Sequence, residues 1–329
     1  MSSGDLLKGL KRLPGRLLAM SPSSGSGPEA VPLTGRRYLL TNAHEGDGLA
    51  RAREILRRGA AVVLTGPTEE QTAAAVALLR GEPQPAAAGQ VDGLTLDPYS
   101  IDSARALVTE LKARRLPLHA LVHGPVDGPS GEHHLPVDFP VDADNALVAN
   151  HLTPFLLTQL LLPLLIKSAP ARVVLASDAA HASGDAERLR ALFAEGAVRK
   201  PRTPSTAEAV VIAASSSGLG MVWHSLLSEG ARQSLQANAD CKLACLLHVT
   251  ELQRRLAKHG LTPAKVRVVA ALDRAALLSA AVDDLPAELL FAPPAGRSAD
   301  ADPSGMGAAS AIAADVELAS KLWAATLEV

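Results

Sequence analysis

The chain reads as an α/β protein built on a doubly wound parallel sheet with helices on both faces. Two observations carry that reading. From Arg36 onward, short runs of aliphatic and β-branched residues alternate with amphipathic helical stretches, the rhythm of strand–helix–strand units whose strands run parallel. Right-handed crossovers between such units place helices on both sides of the sheet. Aromatic residues make up only 2% of the 329 positions while Ala, Leu and Val abound, so the core has to be aliphatic. A chain of this length holds one large α/β domain or two small ones.

The elements follow in order. Tyr38-Leu39-Leu40 is the first strand, and a glycine-containing turn leads into a helix over 49–58 that Gly59 ends. A second strand over 61–64 precedes a helix over 69–80, and a third over 94–96 precedes a helix over 101–115. The fourth strand spans 119–122, and a long helix is expected over 144–167 before the fifth strand at 172–176. A helix over 243–259 and a sixth strand over 266–269 complete the series. Two stretches break the rhythm: an insertion over 181–236 with Pro201, Pro204 and Ser215-Ser216-Ser217-Gly218, and a Pro/Gly/Asp-rich stretch over 292–308.

Residues 1–35 stand apart from the 36–329 domain. Leu6, Leu7, Leu10, Leu13, Leu17 and Leu18 alternate with Lys8, Lys11, Arg12 and Arg16, and a Ser/Gly/Pro linker follows over 21–32. This is a weakly amphipathic basic arm, read either as a tail, an organellar targeting segment or an arm that docks on a partner. The longest apolar run, 155–166, is broken by Thr158, Gln159 and Pro163 and suits a buried core helix, so no transmembrane span is expected. The formal net charge of −2 leaves no electrostatic footprint for nucleic acid. The two cysteines, Cys241 and Cys245, give neither a disulfide framework nor zinc spacing. Adjacent His133 and His134, with Glu132 and Asp138, are poorly placed to chelate one ion. Ser216-Ser217-Gly218-Leu219-Gly220 lacks the strand–loop–helix context of a phosphate loop.

Five segments carry a family resemblance. Thr41-Asn42-Ala43-His44-Glu45-Gly46-Asp47-Gly48 resembles a TGxxxGxG turn, and Leu96-Asp97 resembles a third-strand Leu-Asp. Asn150-His151-Leu152-Thr153-Pro154-Phe155-Leu156-Leu157-Thr158 resembles an Asn-His-Leu-Gly-His-Phe-Leu-Leu-Thr motif. Lys242-Leu243-Ala244 through Arg255-Leu256 resembles an active-site helix, and the stretch from Glu317 to Trp323 a closing helix. Together they resemble the short-chain dehydrogenase/reductase family, in particular its retinol-dehydrogenase-like members. The resemblance implies a Rossmann-like domain, a nicotinamide dinucleotide, and a Tyr-x-x-x-Lys pair assisted by a serine and an asparagine.

Several implied site positions depart from that pattern. In the turn, Asn42 stands for the first glycine, the least unfavourable substitute in a left-handed conformation, while Gly46 and Gly48 are kept. Glu45 and Asp47 lie where a diphosphate would sit, each repelling it by on the order of 1 kcal/mol if solvated, against about half a positive charge from the helix dipole. The second strand ends in Thr65-Gly66-Pro67-Thr68, with neither the acid that binds NAD ribose nor the arginine that accommodates NADP. Thr65 or Thr68 is left to give one hydrogen bond. Asp97 matches an adenine-contacting aspartate or is a turn residue. The fourth strand runs into His123-Gly124-Pro125-Val126 in place of Asn-Asn-Ala-Gly, and Ala271-Leu272-Asp273-Arg274 replaces a Pro-Gly turn.

In the implied catalytic set, Asn150 and Lys242 match. Asn238 replaces the tyrosine, and an amide does not exchange protons as a general acid or base. Asp178 falls at the serine's place, with Ser177 one residue earlier. The vestigial positions are therefore Asn150, Ser177, Asp178, Asn238 and Lys242 for catalysis, and Asn42, Gly46, Gly48, Asp97 and Lys242 for a cofactor.

The expectation is a fold retained after its chemistry was dropped: a catalytically silent accessory subunit of a larger protein assembly, with no cofactor. The basic arm points first to a mitochondrion, with the cytoplasm as the alternative. The alternative function is an NAD(P)-dependent oxidoreductase or cofactor sensor using Lys242, Asn150 and a substitute acid, Asp178 or Asp240. A non-redox use of the pocket is a third. Other protein subunits are the expected partners, and a homodimer through helices 144–167 and 243–259 is left open.

Overall fold

The computed structural model describes residues 32–83, 89–126, 146–189, 229–271, 290–291 and 316–327. The arm, the Ser216 stretch, His133, His134 and residues 292–308 lie outside them. The elements are β1 (Arg37–Thr41), α1 (Gly46–Arg57), β2 (Ala61–Gly66), α2 (Glu69–Gly81), β3 (Val91–Thr95), α3 (Ile101–Ala113) and β4 (Ala120–His123), followed by α4 (Thr153–Lys167), β5 (Ala171–Ala176), α5 (Glu229–Lys258), β6 (Val266–Ala271), β7 (Leu290–Phe291) and α6 (Val316–Leu327). The sheet order is β3-β2-β1-β4-β5-β6-β7. The strands from β3 to β6 pair in parallel, and β7 runs antiparallel to β6.

Alternation along the strands explains the two helical layers. Tyr38, Leu40, Val62, Leu64, Val122, Val174 and Val269 turn to one face with Ile55 and Leu56 of α1 and Val76 and Leu79 of α2. Leu39, Val63, Leu121, Val173 and Val268 turn to the other, against α3, α4, α5 and α6. A strand buried on both faces reads as a continuous apolar run, which is what the sequence shows. β3 is an edge strand whose exposed backbone is partly covered by side chains: Arg80 Nη2 donates to Val91 O at 3.0 Å and Gly93 N to Asp92 Oδ1 at 2.8 Å.

Two expectations are corrected, and the core-helix reading of the longest apolar run holds for a longer helix. The predicted helix over 144–167 is two pieces, because a π-helical turn, Val148–Leu152, precedes α4. The helix expected at 243 begins fourteen residues earlier, at Glu229, so the last part of the predicted insertion is helical. Finally, the 20 residues Val148–Lys167 are apolar and long enough to cross a membrane by composition alone. The interruptions at Thr158, Gln159 and Pro163 hid this, because a helix tolerates them where a run does not. Here the helix is a core element, packed on α3 with Leu157, Leu161 and Leu165 fully buried.

The C-terminal α6 is held on α5 by a ring cluster. Phe155 and Trp323 meet edge-to-face at 4.7 Å, and His248 lies 5.0 Å from Phe155 and 5.6 Å from Trp323. Arg255 stacks over Trp323 at 4.7 Å, and Glu251, completely buried, is gripped by Arg254 and Arg255. Burial raises the Glu251 carboxyl, but the two guanidinium groups outweigh it and hold the group below its ordinary range. His151 bonds Thr326 at 3.3 Å, and His123 bonds Thr158 at 3.0 Å. Both ring nitrogens of His248 are buried without a hydrogen-bond partner among the described residues.

Burial lowers His123 to about 3 and His151 to about 4, and pushes His248 well below the ordinary value. In the unfolded chain each titrates near 6.5. Below that pH the unfolded chain takes up protons that the folded chain refuses, so this stability is complete above about pH 6.5 and is lost as pH falls. At about pH 5 each such histidine costs roughly 2 kcal/mol. We expect His248→Leu to leave stability at about pH 7.5 within roughly 1 kcal/mol and to raise it at about pH 5 by about 2 kcal/mol. Urea midpoints at the two pH values check this, and equal changes at both would contradict it.

Candidate functional site

The site residues stand along the C-terminal ends of adjacent parallel strands, where open α/β sheets bind their ligands. The turn between β1 and α1 comes first. Asn42 takes φ +50°, the left-handed conformation that the first glycine of such a turn supplies. Its side chain adds what glycine does not: Nδ2 donates to Gly124 O at 3.1 Å, tying the turn to the end of β4. Gly46 also has φ +50°. At Gly48 a Cβ would fall 2.5 Å from Asn42 O and 2.6 Å from Ala43 Cα, both backbone atoms. Only glycine lets the start of α1 lie this close to β1. Glu45, the N-cap residue, gives α1 no side-chain cap, so its first N–H groups are left for another acceptor.

At the end of β2 both threonines bond within the protein. Thr65 Oγ1 accepts Asn42 N at 3.1 Å, and Thr68 caps α2 by accepting Gln71 N at 3.2 Å. Both threonines named as ribose ligands are therefore engaged inside the protein. Asp97 Oδ1 accepts Tyr99 N at 2.9 Å, a bond of the turn after β3. His44, which the sequence reading passed over, lies on Gly66. Its side chain is 11% exposed, and its Nε2 is 3.4 Å from Glu45 Oε1. Burial lowers its pKa, with Glu45 opposing.

After β4, Gly124 N donates to Thr41 Oγ1 at 3.1 Å, and a Cβ on Gly124 would meet Thr41 O at 2.5 Å. Asn150 braces the next residues: Val126 N donates to its Oδ1 and its Nδ2 donates to Val126 O, both at 3.0 Å. Asn150 lies in the π-helical turn, and Cys245 Sγ donates to Asn150 O at 3.1 Å. Burial pushes the Cys245 thiol up to about 11 and the Cys241 thiol higher still. The three-residue spacing of Cys245 from Lys242 on one helix was the only sequence signal of its place.

Of the catalytic positions, the structure brings the side chains of Asp178 and Lys242 together. Ser177 Oγ donates to Lys242 O at 3.3 Å, which turns it inward, and the loop has not slipped to bring it outward. Asp178 is at the tip. Its Oδ1 accepts Ala180 N at 2.8 Å, and its Oδ2 is 3.7 Å from the buried Lys242 Nζ. His181 bonds Asp178 O through Nδ1 at 2.6 Å. Asn238 is half-buried one turn before Lys242. Asp240, the other candidate acid, is diverted. Its Oδ1 accepts Asp185 N and Gln236 Nε2, both at 2.8 Å, and Arg188 Nε lies 3.0 Å from Oδ2. Burial raises its pKa and these three partners oppose the rise. It pins the segment after β5 to α5 instead of serving Lys242. Among the described residues no group of three or more His, Cys, Asp and Glu side chains could hold a metal ion.

The donor set fits a dinucleotide in its backbone and less well in its charge. The close approach at Gly48 and Gly124 and the uncapped start of α1 are the features a diphosphate needs. Glu45 and Asp47 oppose it.

A family model described as short chain dehydrogenase matches residues 36–187. Dehydrogenase/reductase SDR family member 13 of Homo sapiens is 33% identical over 249 residues, which cover 75% of this chain and 53% of that protein. Retinol dehydrogenase 14 of Mus musculus is 34% identical over 159 residues, 46% of each. The chain thus spans about half the length of these curated relatives. Among solved structures, an uncharacterised protein from Mycobacterium Paratuberculosis superposes with a TM-score of 0.55 at 26% identity, covering 91% of this chain and 95% of that one. Sheet order, turn geometry and these matches agree that the chain belongs to the short-chain dehydrogenase/reductase family, among its retinol-dehydrogenase-like members.

Proposed function

We propose that this chain binds a nicotinamide dinucleotide and acts as a cofactor sensor, or a slow oxidoreductase, with a non-standard active site. The observation that carries this reading is the β1–α1 turn. Its first glycine is gone, yet Asn42 holds the left-handed backbone and Gly48 keeps the contact that admits no Cβ. The names of the matched relatives, dehydrogenase/reductase and retinol dehydrogenase, support the same class. The start of α1 would face the diphosphate, Asn150 would brace the wall beside it, and Lys242 would face the nicotinamide ribose. Bound nicotinamide supplies hydride exchange. Among the described residues at the site, none matches the proton donor that carbonyl reduction also needs: Asn238 is an amide and Ser177 is turned inward.

A second reading is a silent accessory subunit in a protein assembly. The Asp178–Lys242 pair at 3.7 Å favours it, since a carboxylate in the serine's place repels a carbonyl oxygen. Under that reading NADH and NADPH do not bind.

Calorimetric titration with NADH and NADPH separates the two. We expect binding in the micromolar range, lost in Gly48→Ala. No heat from the wild type up to millimolar nucleotide contradicts the proposal. We further expect Asn238→Tyr combined with Asp178→Ser to speed NADH oxidation by an aliphatic aldehyde by about 100-fold, the size of a general-acid contribution. Stopped-flow absorbance of NADH measures the rate.

A further inference from the structure

We propose that His44 and Glu45, within the β1–α1 turn, read the adenosine ribose of the dinucleotide and select a free 2′,3′-diol over a 2′-phosphate. This rests on the dinucleotide reading above. Several polar groups at the end of β2 are already engaged within the protein. Thr65 O accepts Ala43 N at 2.9 Å and Thr65 Oγ1 accepts Asn42 N at 3.1 Å. Gly66 N donates to Thr72 Oγ1 at 3.1 Å, and Gly66 O accepts Leu96 N at 2.9 Å. Thr68 Oγ1 accepts Gln71 N at 3.2 Å and donates to Gln71 Oε1 at 3.0 Å. Asp97 Oδ1 is taken by Tyr99 N at 2.9 Å.

His44, packed against the same strand end, has unmet hydrogen-bonding capacity. Both of its ring nitrogens are buried without a hydrogen-bond partner among the described residues. A buried polar atom left unsatisfied is costly, and a ligand that supplies the partner recovers that cost. The ring lies where the ribose selector should be: a Cβ on Gly66 would come within 2.9 Å of His44 Cβ and 3.1 Å of Cγ. Gly66 is therefore the platform on which the ring rests. Glu45, with a side chain 46% exposed, lies 3.4 Å from Nε2 and supplies the carboxylate that the strand end lacks. In this family of folds an acid takes the ribose hydroxyls and an arginine takes the 2′-phosphate. Here the acid comes from the turn.

Charge sets the direction of selection. Asp47 stands in the first turn of α1, and Glu69 and Glu70 stand in the first turn of α2. A 2′-phosphate would bring further negative charge among these carboxylates. A diol instead donates to Glu45 and completes the hydrogen bonding of His44.

The test measures NADH and NADPH affinities by calorimetry for the wild type, His44→Ala and Glu45→Arg. It also follows the His44 ring resonances on adding ADP-ribose or its 2′-phosphate. We expect the wild type to prefer NADH by about tenfold or more, His44→Ala to weaken NADH by about tenfold, and Glu45→Arg to reverse the preference. The His44 resonances should move with ADP-ribose and not with its 2′-phosphate. Equal affinities in the wild type, or NADH binding unchanged in His44→Ala, overturn the proposal while leaving dinucleotide binding intact. If neither nucleotide binds the wild type, the dinucleotide reading falls and this one with it. Glu45 is exposed, so Glu45→Arg remains informative if His44→Ala does not fold.

Discussion

The site depends on one steric contact. Gly48 lies so near the Asn42 carbonyl that no β-carbon fits between them. That contact fixes the distance of α1 from β1, and with it the direction in which the helix presents its first N–H groups. Asn42 completes the constraint from the other side, because its left-handed backbone turns the chain out of β1 while its amide holds Gly124. Asn42 thus links three strand ends, β1, β2 and β4, through Thr65 and Gly124. A substitution that looks like a loss in the motif has become a cross-brace.

The same exchange of roles recurs at the other end of the site. Asn150 bonds Val126 through both side-chain atoms and Lys242 is buried, so this end of the site is a firm scaffold. The groups that would meet a substrate have been redirected into the protein. Ser177 bonds a helix carbonyl, Asp178 caps a turn and faces Lys242, and Asp240 fastens the following segment. Packing positions tolerate little change in volume, whereas polar groups that lose a ligand can take up structural bonds at small cost. That difference lets polar side chains at such a site take structural roles while the packing stays the same.

Most of the sheet was legible in the sequence because a parallel strand buried on both faces must be continuously apolar. The left-handed demand at Asn42 was legible too, since few other residues accept it. The site was readable only where a residue type is tied to a backbone shape, as at Gly46 and Gly48. The π-helical turn at Asn150 was not readable, because one extra residue in a helix leaves the apolar pattern nearly unchanged. Nor was the fate of Asp240, whose partners Asp185 and Arg188 lie more than fifty residues away. His44 was hidden because its role depends on contact with Gly66, a neighbour that only the parallel pairing of β1 and β2 brings near.

The burial of Cys241 and Cys245 also gives the protein a built-in clock. Both thiols sit on α5 within four residues of Lys242, and burial pushes both well above the ordinary thiol range. The thiolate is the reactive form, so a thiol reagent acts on these side chains only when the helix opens. Their labelling rate therefore reports the local opening free energy of the segment that carries Asn238 and Lys242. Because neither residue is exposed when folded, the clock runs without any engineered probe, and its slowing in the presence of a ligand would report how strongly that ligand holds α5 shut.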